Sequence, residues 1–250
     1  MGRATHLLVD TETSGLDPER HAILEVGAIA LDDSLAPVGD PLEFTVRPRP
    51  GDEIEAEAIR VNGHTWATDP ASEGWAAALE ADAAAETLLC FMESAGLPRE
   101  YVPLVGWNVS FDERFLRRLL GARPWPFHFQ WIEMISVVRF IDAKTGAPPR
   151  RSYKLTAVVG DMLSKEAIAA SKAHSALGDC QLTLGVIRAL TVEASGAPSP
   201  LAEGTFKCRS CGGLFSVPRS VLEKYPRWTP RECRECKRQK RAGLDSKAGT

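Results

Sequence analysis

Asp10 and Glu12 close an apolar run in LLVDTETSGLDP, Asp112 lies in VGWNVSFDERFL, and His174 and Asp179 share KAHSALGDCQL. On a strand, side chains two residues apart project to one face, so Asp10 and Glu12 point together. Taken singly, each acid is explained by a helix dipole or a solvent-facing strand end. Brought together they repel: at ~4 Å and an effective dielectric near 20, each pair costs about 4 kcal/mol. Bound cations relieve that repulsion, and hard carboxylate oxygens select Mg²⁺ or Mn²⁺ over Zn²⁺. Two such ions activate a water and stabilise a leaving oxygen in phosphodiester hydrolysis.

His174 supplies what carboxylates lack, a base that titrates near neutral pH. Positions five apart on a helix lie ~140° apart. His174 and Asp179 therefore reach one site only if His174 sits on the preceding loop or on a distorted first turn. His64 and Asp69 in HTWATD repeat the spacing without the Ala and Gly of HSALGD. They read as turn and loop chemistry ended by Pro70.

These side chains need a sheet to hold them. THLLVDT (5–11), ILEVGAIALD (23–32) and PLEFTVRP (41–48) read as three strands of a meander. A helix is expected over 73–95, stopped by Gly96-Leu97-Pro98, and YVPLVGW (101–107) reads as a short strand. SFDERFLRRLL (110–120) is an amphipathic helix in which Ser110 and Glu113 fit a capping box. Helices are also expected over 131–143, 153–163 and 175–194, with a loop at 146–152. Strands first, then strands and helices mixed, predict an α/β domain with a mixed sheet flanked by helices. The expected organisation is a catalytic domain over 1–193, a Pro/Gly/Ser/Ala-rich linker over 194–205, a cysteine module over 206–240 and a disordered tail over 241–250.

The 250 residues, 44% hydrophobic and 25% charged, are ordinary for a globular chain. No apolar run approaches the ~18 residues a membrane helix needs, and MGRATHLLVD lacks a signal-peptide pattern. The expected location is therefore cytoplasmic, with no membrane partner. The net charge of −3 divides into −11 over 1–204 and +8 over 205–250. That suits a body that binds cations and an end that approaches phosphates.

Of six cysteines, Cys90 and Cys180 stand alone and read as small buried hydrophobes. Cys208, Cys211, Cys233 and Cys236 form two CxxC pairs separated by 21 residues. Paired knuckles place four thiolates tetrahedrally around one structural Zn²⁺, and so short a segment takes much of its folding energy from metal. The segment resembles a bacterial or phage-type zinc ribbon. Lys237, Arg238, Lys240 and Arg241, with Phe206, Phe215, Tyr225 and Trp228 for stacking, favour nucleic acid over protein docking. Arg150, Arg151 and Lys154 form a second basic loop suited to steering a strand.

The succession DTETSGLDP, NVSFD and HSALGD, over about residues 5–192, resembles the DEDDh 3′→5′ exonucleases, which include proofreading subunits, ribonuclease T and oligoribonuclease. The resemblance implies a ribonuclease H-like fold and release of nucleoside 5′-monophosphates. It implies two Mg²⁺ or Mn²⁺ ions held by Asp10, Glu12, Asp112 and Asp179, with His174 as general base. By the same likeness Thr13 and Leu16 lie against the terminal nucleotide, Leu16 as an apolar wedge, and Asn62 takes a place where proofreading members often have His. The expected substrate is a single-stranded or frayed 3′ end of DNA, and the expected protein partner is a DNA polymerase or a replication or repair protein. An RNA-trimming exoribonuclease and a non-catalytic nucleic-acid or polymerase-binding module are the alternatives.

Overall fold

The computed structural model describes residues 3–146, 150–163, 174–194, 205–211, 214–217 and 236. The chain divides into two compact units, Met1–Ile187 and Arg188–Thr250. Most of the expected linker, Cys233, and the basic and aromatic residues from Tyr225 onward lie outside the described residues.

In the first unit, β1 (His6–Thr13) is the central strand of a five-stranded mixed sheet ordered β3-β2-β1-β4-β5. β2 (Ile23–Leu31) and β3 (Leu42–Thr45) run antiparallel to their neighbours. β4 (Leu104–Gly106) and β5 (Ile132–Glu133) join in parallel. Among the helices, α1 (Ala56–Asn62), α2 (Glu73–Ala77) and α3 (Ala81–Ser94) precede β4. α4 (Val109–Leu120), α5 (Met134–Thr145), α6 (Leu155–Met162) and α7 (Ala176–Ala194) follow it. The second unit carries a hairpin of β6 (Thr205–Lys207) and β7 (Leu214–Ser216).

The period-two rule sorts β1 into two faces. Leu7 and Val9 join a core with Leu88 and Met92 of α3 and Phe115, Leu116, Leu119 and Leu120 of α4. Burying each such large side chain contributes about 1.5–3 kcal/mol. Leu8, Asp10 and Glu12 take the opposite face. All nine residues of β2 are buried.

Four local readings need correction. The helix expected over 73–95 is broken at Ala78–Glu80, because the Leu79 amide donates to the Thr45 carbonyl at 2.9 Å and its carbonyl accepts from the Arg47 amide at 2.8 Å. A long-range bridge overrides local helix propensity there. Ser110 and Glu113 do not form a capping box. Asn108 occupies the N-cap in left-handed geometry (φ 65), and no side chain of its own caps α4. Glu133, from β5, accepts from the amides of Asn108 (2.8 Å) and Val109 (3.0 Å) instead. The segment 131–143 opens as edge strand β5 before turning helical. Finally, Cys180 is buried as expected, but Cys90 is exposed on α3.

Among the described residues, no helix is long and apolar enough to cross a membrane.

Candidate active site

One carboxylate oxygen each from Asp10, Glu12 and Asp179 lies within 4.8 Å of the other two. Antiparallel pairing explains the convergence. Asp10 stands opposite Gly27 and Glu12 opposite Glu25 on β2. Gly27 is what lets the next helix close in: a Cβ there would stand 2.3 Å from the Leu177 amide nitrogen and 2.4 Å from the Ala176 carbonyl carbon. The start of α7, with Asp179 in its first turn, is thereby pressed onto the acidic face of the sheet.

Asp112 arrives from the other side. It is 3% exposed and accepts a 2.7 Å hydrogen bond from the Thr11 hydroxyl. Thr11 alternates with Asp10 and Glu12, so it faces α4, and Asp112 stands outside the tight group of three while acting on Asp10 through its charge. His174 precedes α7 with φ 73. It is off the regular helix, as its spacing from Asp179 requires.

The electrostatics are those of charges awaiting compensation. Burial, then the charges of Asp112, Asp179, Glu12 and Glu25, raise the Asp10 pKa well above its ordinary value. Burial, then Asp179, Glu25 and Asp112, push Glu12 up to about 8, against hydrogen bonding from Asn62. Burial takes Asp112 up to about 7, and the Thr11 bond opposes it. Burial also raises Asp179, while the backbone and charge of His174 lower it. The Asp179 Oδ1 atom is buried without a hydrogen-bond partner among the described residues. Clustered hard oxygens with one orphaned acceptor fit a divalent cation.

Next to the acids lies an open cavity of about 310 Å³, lined by Glu12, Thr13, Leu16, Val61, Asn62 and Phe111 among others. Leu16 is 74% exposed beside it, on a loop packed so tightly that a Cβ on Gly15 would meet the His21 ring at 2.3 Å. The hydroxyl of Thr13 is committed to the Gly15 carbonyl at 2.7 Å. Asn62 donates to the Thr13 carbonyl at 3.0 Å and accepts from the His64 amide at 3.1 Å. Thr13, Leu16 and Asn62 thus share one cavity, with the polar groups of Thr13 and Asn62 holding the loops around it.

Sequence reasoning missed Glu25. It is 5% exposed on the same face as Glu12 and accepts from the Ala176 amide at 2.9 Å. Its second oxygen lies 2.8 Å from Nε2 of His64, off the ideal hydrogen-bond direction. Nδ1 of His64 accepts from the Trp66 indole at 3.1 Å. His64, read from the sequence as turn chemistry, therefore belongs to the wall of the acidic site. The available signal was the only charged residue inside an otherwise apolar strand, ILEVGAIAL.

In the second unit, the Cys208, Cys211 and Cys236 sulfurs lie within 4.8 Å of one another. Cys208 is 1% exposed, and the β6–β7 hairpin leads into and out of the first knuckle. The donor set suits zinc.

The chain is 27% identical over 131 residues to an oligoribonuclease of Corynebacterium glutamicum, covering 52% of this chain and 58% of that one. It is 28% identical over 151 residues to the oligoribonuclease of Pseudomonas aeruginosa, covering 58% and 79%. The fold superposes on E. coli exonuclease I, solved with single-stranded DNA, with a TM-score of 0.62 at 20% identity over 77% of this chain and 41% of that one. The chain thus spans less than two thirds of the Corynebacterium relative and of the exonuclease I chain. Residues 7–187 match the family model RNase_T, described as Exonuclease, and the chain belongs to that exonuclease family.

Proposed function

We propose that this protein is a metal-dependent 3′→5′ exonuclease that removes nucleoside 5′-monophosphates from nucleic-acid ends, with single-stranded or frayed DNA favoured. The observation that carries the reading is the meeting of the Asp10, Glu12 and Asp179 oxygens beside a cavity of nucleotide scale. Asp10, Glu12, Asp112 and Asp179 would hold two Mg²⁺ or Mn²⁺ ions. When bound, these ions supply the positive charge that activates a water and stabilises the leaving oxygen. His174 is exposed at the mouth of α7 and takes the proton of the attacking water as general base. Leu16 packs against the terminal base, and Thr13 and Asn62 keep its loop in place.

The zinc assignment to Cys208, Cys211, Cys233 and Cys236 belongs to the same reading, as a structural staple for the second unit. RNA is the second substrate, favoured by the oligoribonuclease relatives. The test is mononucleotide release from 3′-labelled single-stranded DNA, mismatched duplex DNA and RNA, with Mg²⁺, with Mn²⁺ and with chelator. Metal-dependent release from the 3′ end is expected, fastest on single-stranded DNA. No release from any substrate refutes the enzyme reading, and faster release from RNA moves the substrate to RNA.

A further inference from the structure

Two divalent ions would at most neutralise the four carboxylates, so some surface beside the site must attract the rest of a polyanionic strand. Arg150, the first cation of the basic loop, is not free to do so. It forks onto Asp142 at 2.8 and 3.1 Å and reaches Asp161 at 3.1 Å. Arg139, Arg151 and Lys154 differ: all three are exposed, and none is paired with an acid among the described residues.

Arg139 is also held in place. Its guanidinium carbon lies 4.6 Å from the centre of the Tyr153 ring. The Tyr153 hydroxyl donates to Asp142 at 3.1 Å, and its carbonyl accepts from the Trp107 indole at 2.9 Å. Trp107 leads directly into α4, whose first turn bears Asp112. A planar cation laid on an aromatic ring keeps its edge N–H groups turned outward, a geometry suited to bidentate phosphate contact.

We propose that Arg139, stacked on Tyr153 and assisted by Arg151 and Lys154, forms a shelf that binds the sugar-phosphate backbone of the strand upstream of the scissile bond. The proposal rests on the nucleic-acid reading above and adds where the strand lies. Because a dinucleotide has no phosphodiester upstream of its scissile bond, the shelf's contribution grows with substrate length.

The test uses the full chain and the exposed-residue variants Arg139→Gln and Arg139→Gln/Arg151→Gln, with thermal melts to verify folding. Binding of a fluorescent single-stranded dodecanucleotide is followed by anisotropy with Ca²⁺ across a salt series. Cleavage of that strand is compared with cleavage of a dinucleotide. The double variant should bind the dodecanucleotide about tenfold more weakly, with the slope of log K against log salt reduced by about 0.7 for each phosphate left unneutralised. Its preference for the longer substrate should shrink by a similar factor. Unchanged affinity, slope and length preference would overturn the shelf while leaving the exonuclease reading intact, and would favour an acidic protein partner for the patch. A wild-type chain that neither binds nor cleaves either substrate would overturn both.

Discussion

The acid cluster and the cysteine cluster both gather metal-type donors from distant stretches of chain, and they do so by opposite means. Asp10 and Glu12 sit on the central strand of a packed sheet, Asp179 on a helix seated against Gly27, and Asp112 behind a buried Thr11 hydroxyl. The scaffold imposes their proximity and the raised pKa values record the cost. The cysteines stand at the end of a short hairpin, in a segment short enough that a metal would supply much of its folding energy. In the first unit the fold strains the site; in the second the site would make the fold.

The largest effect expected from that contrast is chemical. Asp10→Asn and Asp179→Ala should lower nucleotide release by about a thousandfold or more, while circular dichroism shows an intact fold. Because each removes one of several mutually repelling, half-buried carboxyl groups, the metal-free melting temperature should hold or rise. A variant that is active, or one that unfolds, breaks the comparison.

Metal removal should separate the two units next. A Mg²⁺ chelator should abolish cleavage and leave the first unit folded. Cys208→Ser, or a strong zinc chelator, should expose the amides around the β6–β7 hairpin to hydrogen exchange while β1 and β2 remain protected. Equal deprotection of both units would contradict the division of roles.

The pH dependence sharpens the point about strain. Burial raises Glu12 from 4.5 to about 8 and Asp112 from 3.8 to about 7. Without metal the folded state therefore holds protons that the unfolded chain releases. This advantage is complete below pH ~4 and is lost as pH rises through about 7 to about 8. The metal-free melting temperature should fall by about 5 °C or more between pH 5 and 8.5, and saturating Mg²⁺ should restore it. A flat metal-free profile would remove the electrostatic basis of the account.

A smaller effect is expected at Glu25, which holds the start of α7 without joining the tight cluster. In Glu25→Gln one amide orientation keeps the Ala176 bond and loses His64, and the other does the reverse. Activity should drop about tenfold through weaker Mn²⁺ affinity, with saturating metal recovering most of it. A loss that excess metal does not touch would assign Glu25 a different role.

What was legible in the sequence was local and periodic. The two-residue spacing of Asp10 and Glu12 gave their shared face, and the five-residue spacing of His174 and Asp179 placed the histidine off the helix. The apolar runs gave β1, β2 and β3 and their meander. What was not legible depends on partners far along the chain. The break before α3 exists because Leu79 pairs with Thr45 at the end of β3 and with Arg47 just beyond it. The cap of α4 comes from Glu133, and the role of His64 comes from Glu25 across the sheet. Leu16 is named by the resemblance alone, and its exposure beside the cavity is seen only in the fold.

Anomalous diffraction from crystals soaked in Mn²⁺ tests the central claim most directly. The account predicts metal peaks about 2.1 Å from carboxylate oxygens of Asp10, Glu12 and Asp179, with Asp112 completing the set. An empty acid cluster at saturating Mn²⁺, or manganese bound only elsewhere on the chain, would contradict it.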